Sequence, residues 1–152
     1  MDAILPASLL AQFDGDDLSD KLAVSAVLAT VAEDGWPHLA YLSAGEVLIA
    51  GDRLKLRLWP RSSSAANLRR DGHVALHAAA DGVAWEVRLA VVGRVDTPDY
   101  LIVEMTVVGA ISHRAPYAEV GGMIGFTLHD EARTLARWEA QVAHLRSLEQ
   151  VS

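Results

Sequence analysis

Between Ala32 and Val83, four pairings of aspartate with glycine punctuate the chain: Asp34-Gly35, Gly51-Asp52, Asp71-Gly72 and Asp81-Gly82. Each falls between runs rich in Val, Leu, Ile and Ala. Glycine and aspartate tolerate the left-handed backbone that tight hairpin turns require, and β-branched flanks favour extended chain. LAVSAVLATVA returns through WPHLAYLSA, EVLIAG through LKLRLW, and HVALHAA through VAWEVRLAVVGRV. In LKLRLW, Leu54, Leu56 and Leu58 alternate with Lys55, Arg57 and Trp59, the period of a strand with one buried face. LIVEMTVVGAIS supplies a further strand after the Thr97-Pro98-Asp99 turn. Consecutive hairpins of this kind predict an antiparallel sheet that curls into a barrel.

Helices are expected before and after that β run and once within it. Pro6 to Phe13 reads as a short helix ended by the acidic turn FDGDDLSD, and Ser62 to Arg70 as a short helix inside the β region. From Asp130 the register changes: Leu135, Trp138, Val142, Leu145 and Leu148 recur at spacings of three and four. That is one apolar face of a long terminal helix, with Asp130 and Glu131 at the end where the macrodipole favours negative charge. The expected fold is mainly β (α+β): one domain over residues 1–152, a barrel over about 21–128, and a terminal helix over about 130–149.

Composition narrows the function classes. Hydrophobic residues make up 51% and charged residues 22% of 152, enough for one real core. The absence of Cys removes disulfides, zinc thiolates and cysteine nucleophiles, and suits a reducing cytoplasm. A net charge of −7 argues against nucleic acid as a partner. The first residues lack a basic region before a long apolar run, a poor signal peptide. LIVEMTVVGAI falls far short of the roughly 20 residues that span a bilayer. A soluble, cytoplasmic protein without membrane partners is expected.

The stretch RLWPRSSSAANLRRDGHVAL carries the most chemistry. A strand stops at Pro60, three serines open a helix, and arginines flank them. Helix N-termini offer unpaired N–H groups and positive potential. Ser62, Ser63 and Ser64 add hydroxyls, and Arg57 and Arg61 add charge-assisted donors. The loop is expected to be polar and at the surface. A plain N-cap is the bland alternative.

VLATVAEDGWPHLAYLS, LKLRLWPRSSSAANLRRDGHVAL and VAWEVRLAVVGRV together resemble the pyridoxamine 5'-phosphate oxidase-like, FMN-binding split-barrel family. The resemblance covers roughly Leu22 to Val95. It rests on a strand ending in A-T-V, a D-G turn, a P-x-hydrophobic return strand, a serine loop, an Asn-bearing helix and a V-x-L strand. It implies a homodimer with FMN at the subunit interface and its phosphate on the serine loop. Arg57, Arg61 and Ser62 to Ser64 would then hold phosphate, and Asn67 would lie near the flavin. Trp59 is the candidate for stacking, while His38, Tyr41 and Ser43 are expected to face the ring edge. Many relatives carry Arg-Lys directly after the loop serine, where this chain has Ser63 and Ser64. That leaves a deazaflavin, heme, or a non-catalytic dimeric binding or stress-related protein as alternatives to a flavin-dependent oxidoreductase. The Arg/His motif by which true oxidases recognise pyridoxamine phosphate is not found, so the substrate remains an unnamed small molecule.

The remaining candidates read more simply. Trp138 belongs to the apolar stripe and is expected to pack. His73 and His77 are four apart but lie in a turn and strand, a poor metal pair. Asp14 to Asp17 lacks the calcium-loop pattern and reads as a solvated turn. His113-Arg114 opens a Pro- and Gly-rich loop that could line a substrate mouth.

Overall fold

A computed structural model describes residues 5–148. Seven strands form one antiparallel sheet: β1 (Ser25–Val31), β2 (Pro37–Ser43), β3 (Val47–Ala50), β4 (Arg53–Leu58), β5 (His73–Ala80), β6 (Val83–Asp96) and β7 (Leu101–His113). Their order across the sheet is β2-β1-β5-β6-β7-β4-β3. The sheet curls into a split half-barrel. The β5–β6 turn places both Asp81 and Gly82 at positive φ, 50° and 74°, which is why that pair occupies it.

β6 and β7 are long, 14 and 13 residues, and serve both halves of the sheet. Register shifts between Arg88 and Leu89 and between Val91 and Gly93 bend β6 as it passes from β5 to the lower part of β7. Inside the curl lie Leu28, Leu54, Leu56, Leu76, Leu89 and Met105, all essentially buried. The first helix, α1 (Ala7–Gln12), closes one end with Leu9 and Phe13, and Gln12 Nε2 donates to the Ala79 carbonyl at 2.8 Å. The second, α2 (Ser63–Arg70), closes the other end with Ala65 and Leu68.

The third helix, α3 (Glu131–Ser147), lies on the outside of the β3–β4–β7 edge. Trp138, Val142 and Leu145 are buried there against Ala44, Leu48 and Ile102. This explains the unbroken run from Leu101 to Met105: Leu101, Val103 and Met105 face the barrel core, while Ile102 faces α3. Part of the cover that this run needs therefore comes from the chain's own helix. Trp138 sits so close to Gly45 that a Cβ there would fall 2.0 Å from its Cγ. Glycine at 45 is a packing requirement of the tryptophan. Leu135 and Leu148 are only half-buried at the two ends of the stripe.

The acidic turn is more than a solvated loop. Lys21 Nζ donates to Asp14 Oδ1 at 2.7 Å, and Arg146 Nη2 of α3 bonds both the Asp14 carbonyl and Asp16 Oδ1. These contacts tie the N-terminal segment to the last turn of α3. No helix among the described residues is long and apolar enough to cross a membrane.

Candidate functional site

The serine loop forms the N-terminus of α2. Ser62 is the N-cap, with extended backbone, and its Oγ accepts from the Ala65 N–H at 3.1 Å. That uses one of the first-turn donors. The N–H groups of Ser63 and Ser64 have no helical carbonyl to bond. No acidic residue stands in this first turn. Ser63 and Arg61 are exposed, and no carboxylate of the described residues lies within ion-pair distance of Arg61.

The other polar groups of α2 are committed to holding it in place. Arg69 grips Asp96 with two bonds of 2.7 and 2.9 Å, which lower the Asp96 carboxyl below its usual range. Arg70 donates to the Val31 carbonyl at 2.6 Å and to Asn67 Oδ1 at 3.1 Å. Asn67 in turn donates to Thr30 Oγ1 at 3.0 Å, a buried bond that joins α2 to β1. Ser64, expected at the surface with the rest of the loop, is only 3% exposed. The helix turns it inward beside Ala65 because positions 64, 65 and 68 make up its apolar face. The loop is thus polar and open at Arg61 and Ser63, and closed at Ser64.

The remaining residues singled out by sequence are dispersed. Arg57 lies on the outer face of β4, where its Nη1 meets His144 Nδ1 of α3 at 2.8 Å and its guanidinium stacks 4.8 Å from the Tyr100 ring centroid. Ser43 is buried, and its Oγ donates to Glu46 Oε1 at 2.7 Å. Trp59 is 68% exposed, one residue past β4, and its carbonyl accepts from the Ser62 N–H at 3.1 Å. His38, Tyr41 and Ser43 do not share a face: alternation along β2 puts Tyr41 outward and His38 on the barrel side. Trp138, as its place in the stripe implied, is packing.

Outward from α2, the sheet carries an uncovered apolar surface. Leu39 and Tyr41 on β2 and Val108 on β7 are each about half or more exposed. A shallow cleft of about 330 Å³ is lined by Ala29, Val31, Pro37, Ala75 and Val108. Glu86 and Arg88 form its polar rim. Their 2.9 Å bond holds the Glu86 carboxyl low, and His113 stands 3.7 Å away. His113 is therefore joined to the sheet rather than to a separate loop mouth. Among the described residues no group of His, Asp or Glu is disposed to hold a metal ion.

No protein-family model matches the chain. Over 138 residues it is 30% identical to the uncharacterised protein YclD of Bacillus subtilis (strain 168), which covers 88% of this chain and 90% of YclD. The chain belongs to the YclD family. Among solved structures it is similar to an F420 reductase, with a TM-score of 0.56 and 16% identity over 70% of this chain and 98% of that one. A putative pyridoxamine 5'-phosphate oxidase from Listeria innocua gives 0.50 and 16%, over 70% and 96%. An FMN-binding protein from Syntrophomonas wolfei gives 0.52 and 13%, over 70% and 88%. This member of the YclD family has the pyridoxamine 5'-phosphate oxidase-like split-barrel fold.

Sequence reasoning overlooked Glu46, Tyr100 and His144, the partners of Ser43 and Arg57. The signal was present in α3: Arg137, Gln141 and His144 repeat the 138/142/145 stripe one position earlier. They form the polar border of the buried face.

Proposed function

We propose that the protein binds a flavin-type cofactor, FMN before a deazaflavin, and acts as a flavin-dependent oxidoreductase on a small molecule. The observation that carries this reading is the open mouth of α2. Arg61, Ser63 and two helix-terminal N–H groups stand at a positive helix end with no acidic residue in its first turn. That chemistry fits a phosphate monoester, and the fold is one on which an FMN-binding protein is built. A bound flavin supplies the hydride or electron transfer. The chain's part is to hold the phosphate at Arg61 and Ser63 and to keep water from the ring with its apolar outer sheet face.

We propose further that this outer face pairs two copies of the chain. Leu39, Tyr41 and Val108 stand exposed on it, large apolar side chains of the kind that an interface covers. Sedimentation at micromolar concentration tests the pairing, and a monomer would overturn it.

A second reading, a barrel that binds its ligand without redox chemistry, is favoured by one observation. Ser63 and Ser64 stand where many relatives have a basic pair, and Arg57 is engaged with His144 and Tyr100. Arg61 then carries the phosphate charge alone. The experiment is an FMN titration followed by flavin fluorescence, together with the absorbance of the purified protein at about 450 nm. Binding with quenching supports the flavin reading. A colourless protein that takes up neither FMN nor a deazaflavin sinks it.

A further inference from the structure

Helix α2 carries an asparagine, Asn67, in its interior. Asparagine is a poor residue there, because its amide competes with the backbone for hydrogen bonds. In α2 the amide is withdrawn from that competition. Asn67 is buried, and both ends of its side chain are occupied. Arg70 can only donate, so the 3.1 Å contact with its Nη2 fixes which end is the oxygen. The nitrogen is then the end that meets Thr30 Oγ1 at 3.0 Å. Thr30 is buried as well, on β1, where it pairs with His38 of β2.

The other contacts of α2 constrain it less. Ala65 and Leu68 seat it on the core, but apolar contact has no direction and lets a short helix roll or slide. Arg69 and Arg70 bond the sheet from partly or fully exposed positions, where water competes for the same groups. Among the described residues, Asn67 to Thr30 is the side-chain bond between α2 and the sheet with both ends buried. The helix start lies one turn away. Ser63 precedes Asn67 by roughly 6 Å along the axis, and a roll by one residue would swing its N–H through about 100°.

We infer that Asn67 is a positioning residue for the mouth of α2: through Thr30 it fixes the first-turn N–H groups of Ser63 and Ser64 relative to Arg61. This rests on the phosphate reading of that mouth. Asn67 serves the site without touching a ligand, since its amide is spent inside the fold. A buried, directional bond selects one placement of the helix where packing alone allows several.

The test separates placement from stability. Thr30→Val and Asn67→Leu each keep the outline of the side chain and leave one buried partner unsatisfied, so each should lower the melting temperature. The double variant leaves neither partner of this bond behind, and Arg70 keeps the Val31 carbonyl and water. Its melting temperature should return close to that of the wild type. FMN affinity should not return: the double variant is expected to bind about tenfold more weakly. Thr30→Ser gives the opposite pattern. It loses a buried methyl and should melt lower, yet it keeps the hydroxyl and should bind FMN as the wild type does. The amide signals of Ser63 and Ser64 in NMR of the unliganded protein report the helix start without a cofactor. They should move in the double variant and stay in place in Thr30→Ser.

A double variant that regains stability and binds FMN like the wild type makes the bond merely structural and overturns the inference. Unmoved Ser63 and Ser64 signals overturn it too. Should the double variant melt as low as the single ones, Thr30→Val against Thr30→Ser carries the comparison: both lose stability, and equal FMN affinity overturns the inference. If the wild type takes up no FMN, or Arg61→Ala binds it unchanged, the phosphate reading has failed instead. The amide signals then decide alone whether Asn67 sets the helix start.

Discussion

The helices α2 and α3 begin alike and end in opposite service. Each is capped by a side-chain oxygen on the N–H three residues on, Ser62 to Ala65 at 3.1 Å and Asp130 to Arg133 at 3.0 Å. Each carries basic residues in its last turn. At α3, Asp130 and Glu131 put carboxylates against the positive end of the helix. At α2 the cap is neutral, no acid follows, and Arg61 precedes it. One helix start is electrostatically closed, and the other still has room for an anion. Two equally good caps therefore differ in what they leave for a ligand, and the difference lies in charge rather than in geometry.

The largest effect expected from this pair concerns packing. Trp138 is 2% exposed and fills the space that Gly45 leaves for it. Trp138→Ala should destabilise the protein by about 3–5 kcal/mol, the range for emptying a large aromatic site. Chemical denaturation measures this. A loss under about 1 kcal/mol would mean that α3 is not docked as described. No comparable single position exists on α2, whose buried side chains Ala65 and Leu68 are smaller.

The second effect separates binding from folding. Arg61→Ala should weaken FMN by about 1.5–3 kcal/mol, the range for a hydrogen bond to a charged group, and leave the melting temperature nearly unchanged. Arg69→Ala, at the far end of the same helix, should do the reverse. It breaks the partly exposed Asp96 pair, worth at most about 1 kcal/mol, and touches no ligand. If the two variants lost FMN equally, phosphate would not be held at the helix start. Restoring the basic pair in full is not a clean test, because Ser64→Lys would push an ammonium into a position 3% exposed.

Much of this frame is legible in the chain because it rests on local rules. The Asp-Gly turns, the alternation of Leu54, Leu56 and Leu58, and the stripe Trp138, Val142 and Leu145 each announce an element through its own period. Helix α2 was readable to within a residue, since a serine cap and a following Ala/Asn/Leu pattern are sequence signals in themselves. What was not legible depends on how distant elements meet. The bond from Asn67 to Thr30 spans 37 residues, and the contact of Arg57 with His144 spans 87. Strand β2 was placed, but its faces were not: treating His38, Tyr41 and Ser43 as one set ignored the alternation that sends His38 to the other face. Ser64 was misread for a related reason, because a polar residue next to a cap looks exposed until the helix phase is fixed by Ala65 and Leu68.

A third effect compares the caps directly. Ser62→Ala and Asp130→Ala should each cost about 1 kcal/mol. The aspartate should show the larger dependence on ionic strength, because part of its effect is charge against the macrodipole. Denaturation midpoints at low and high salt measure both. Equal salt dependence would remove the electrostatic contrast and leave two interchangeable caps.

The smallest effect on stability is the most telling for function. Ser63→Glu places a carboxylate in the first turn of α2, at an exposed position, and so gives that helix the charge pattern of α3. The change should stabilise the fold by about 0.3–1 kcal/mol at low ionic strength and by less in salt. The same carboxylate occupies the positive end that a phosphate would need, and it repels a phosphate through the shared Arg61. FMN affinity should therefore fall even as the melting temperature rises. Glu131→Ser in α3 is the matched control, with a small stability loss and no change in FMN binding. A protein stabilised by Ser63→Glu with undiminished FMN affinity would show that the phosphate lies elsewhere and that the open start of α2 is only a neutral cap.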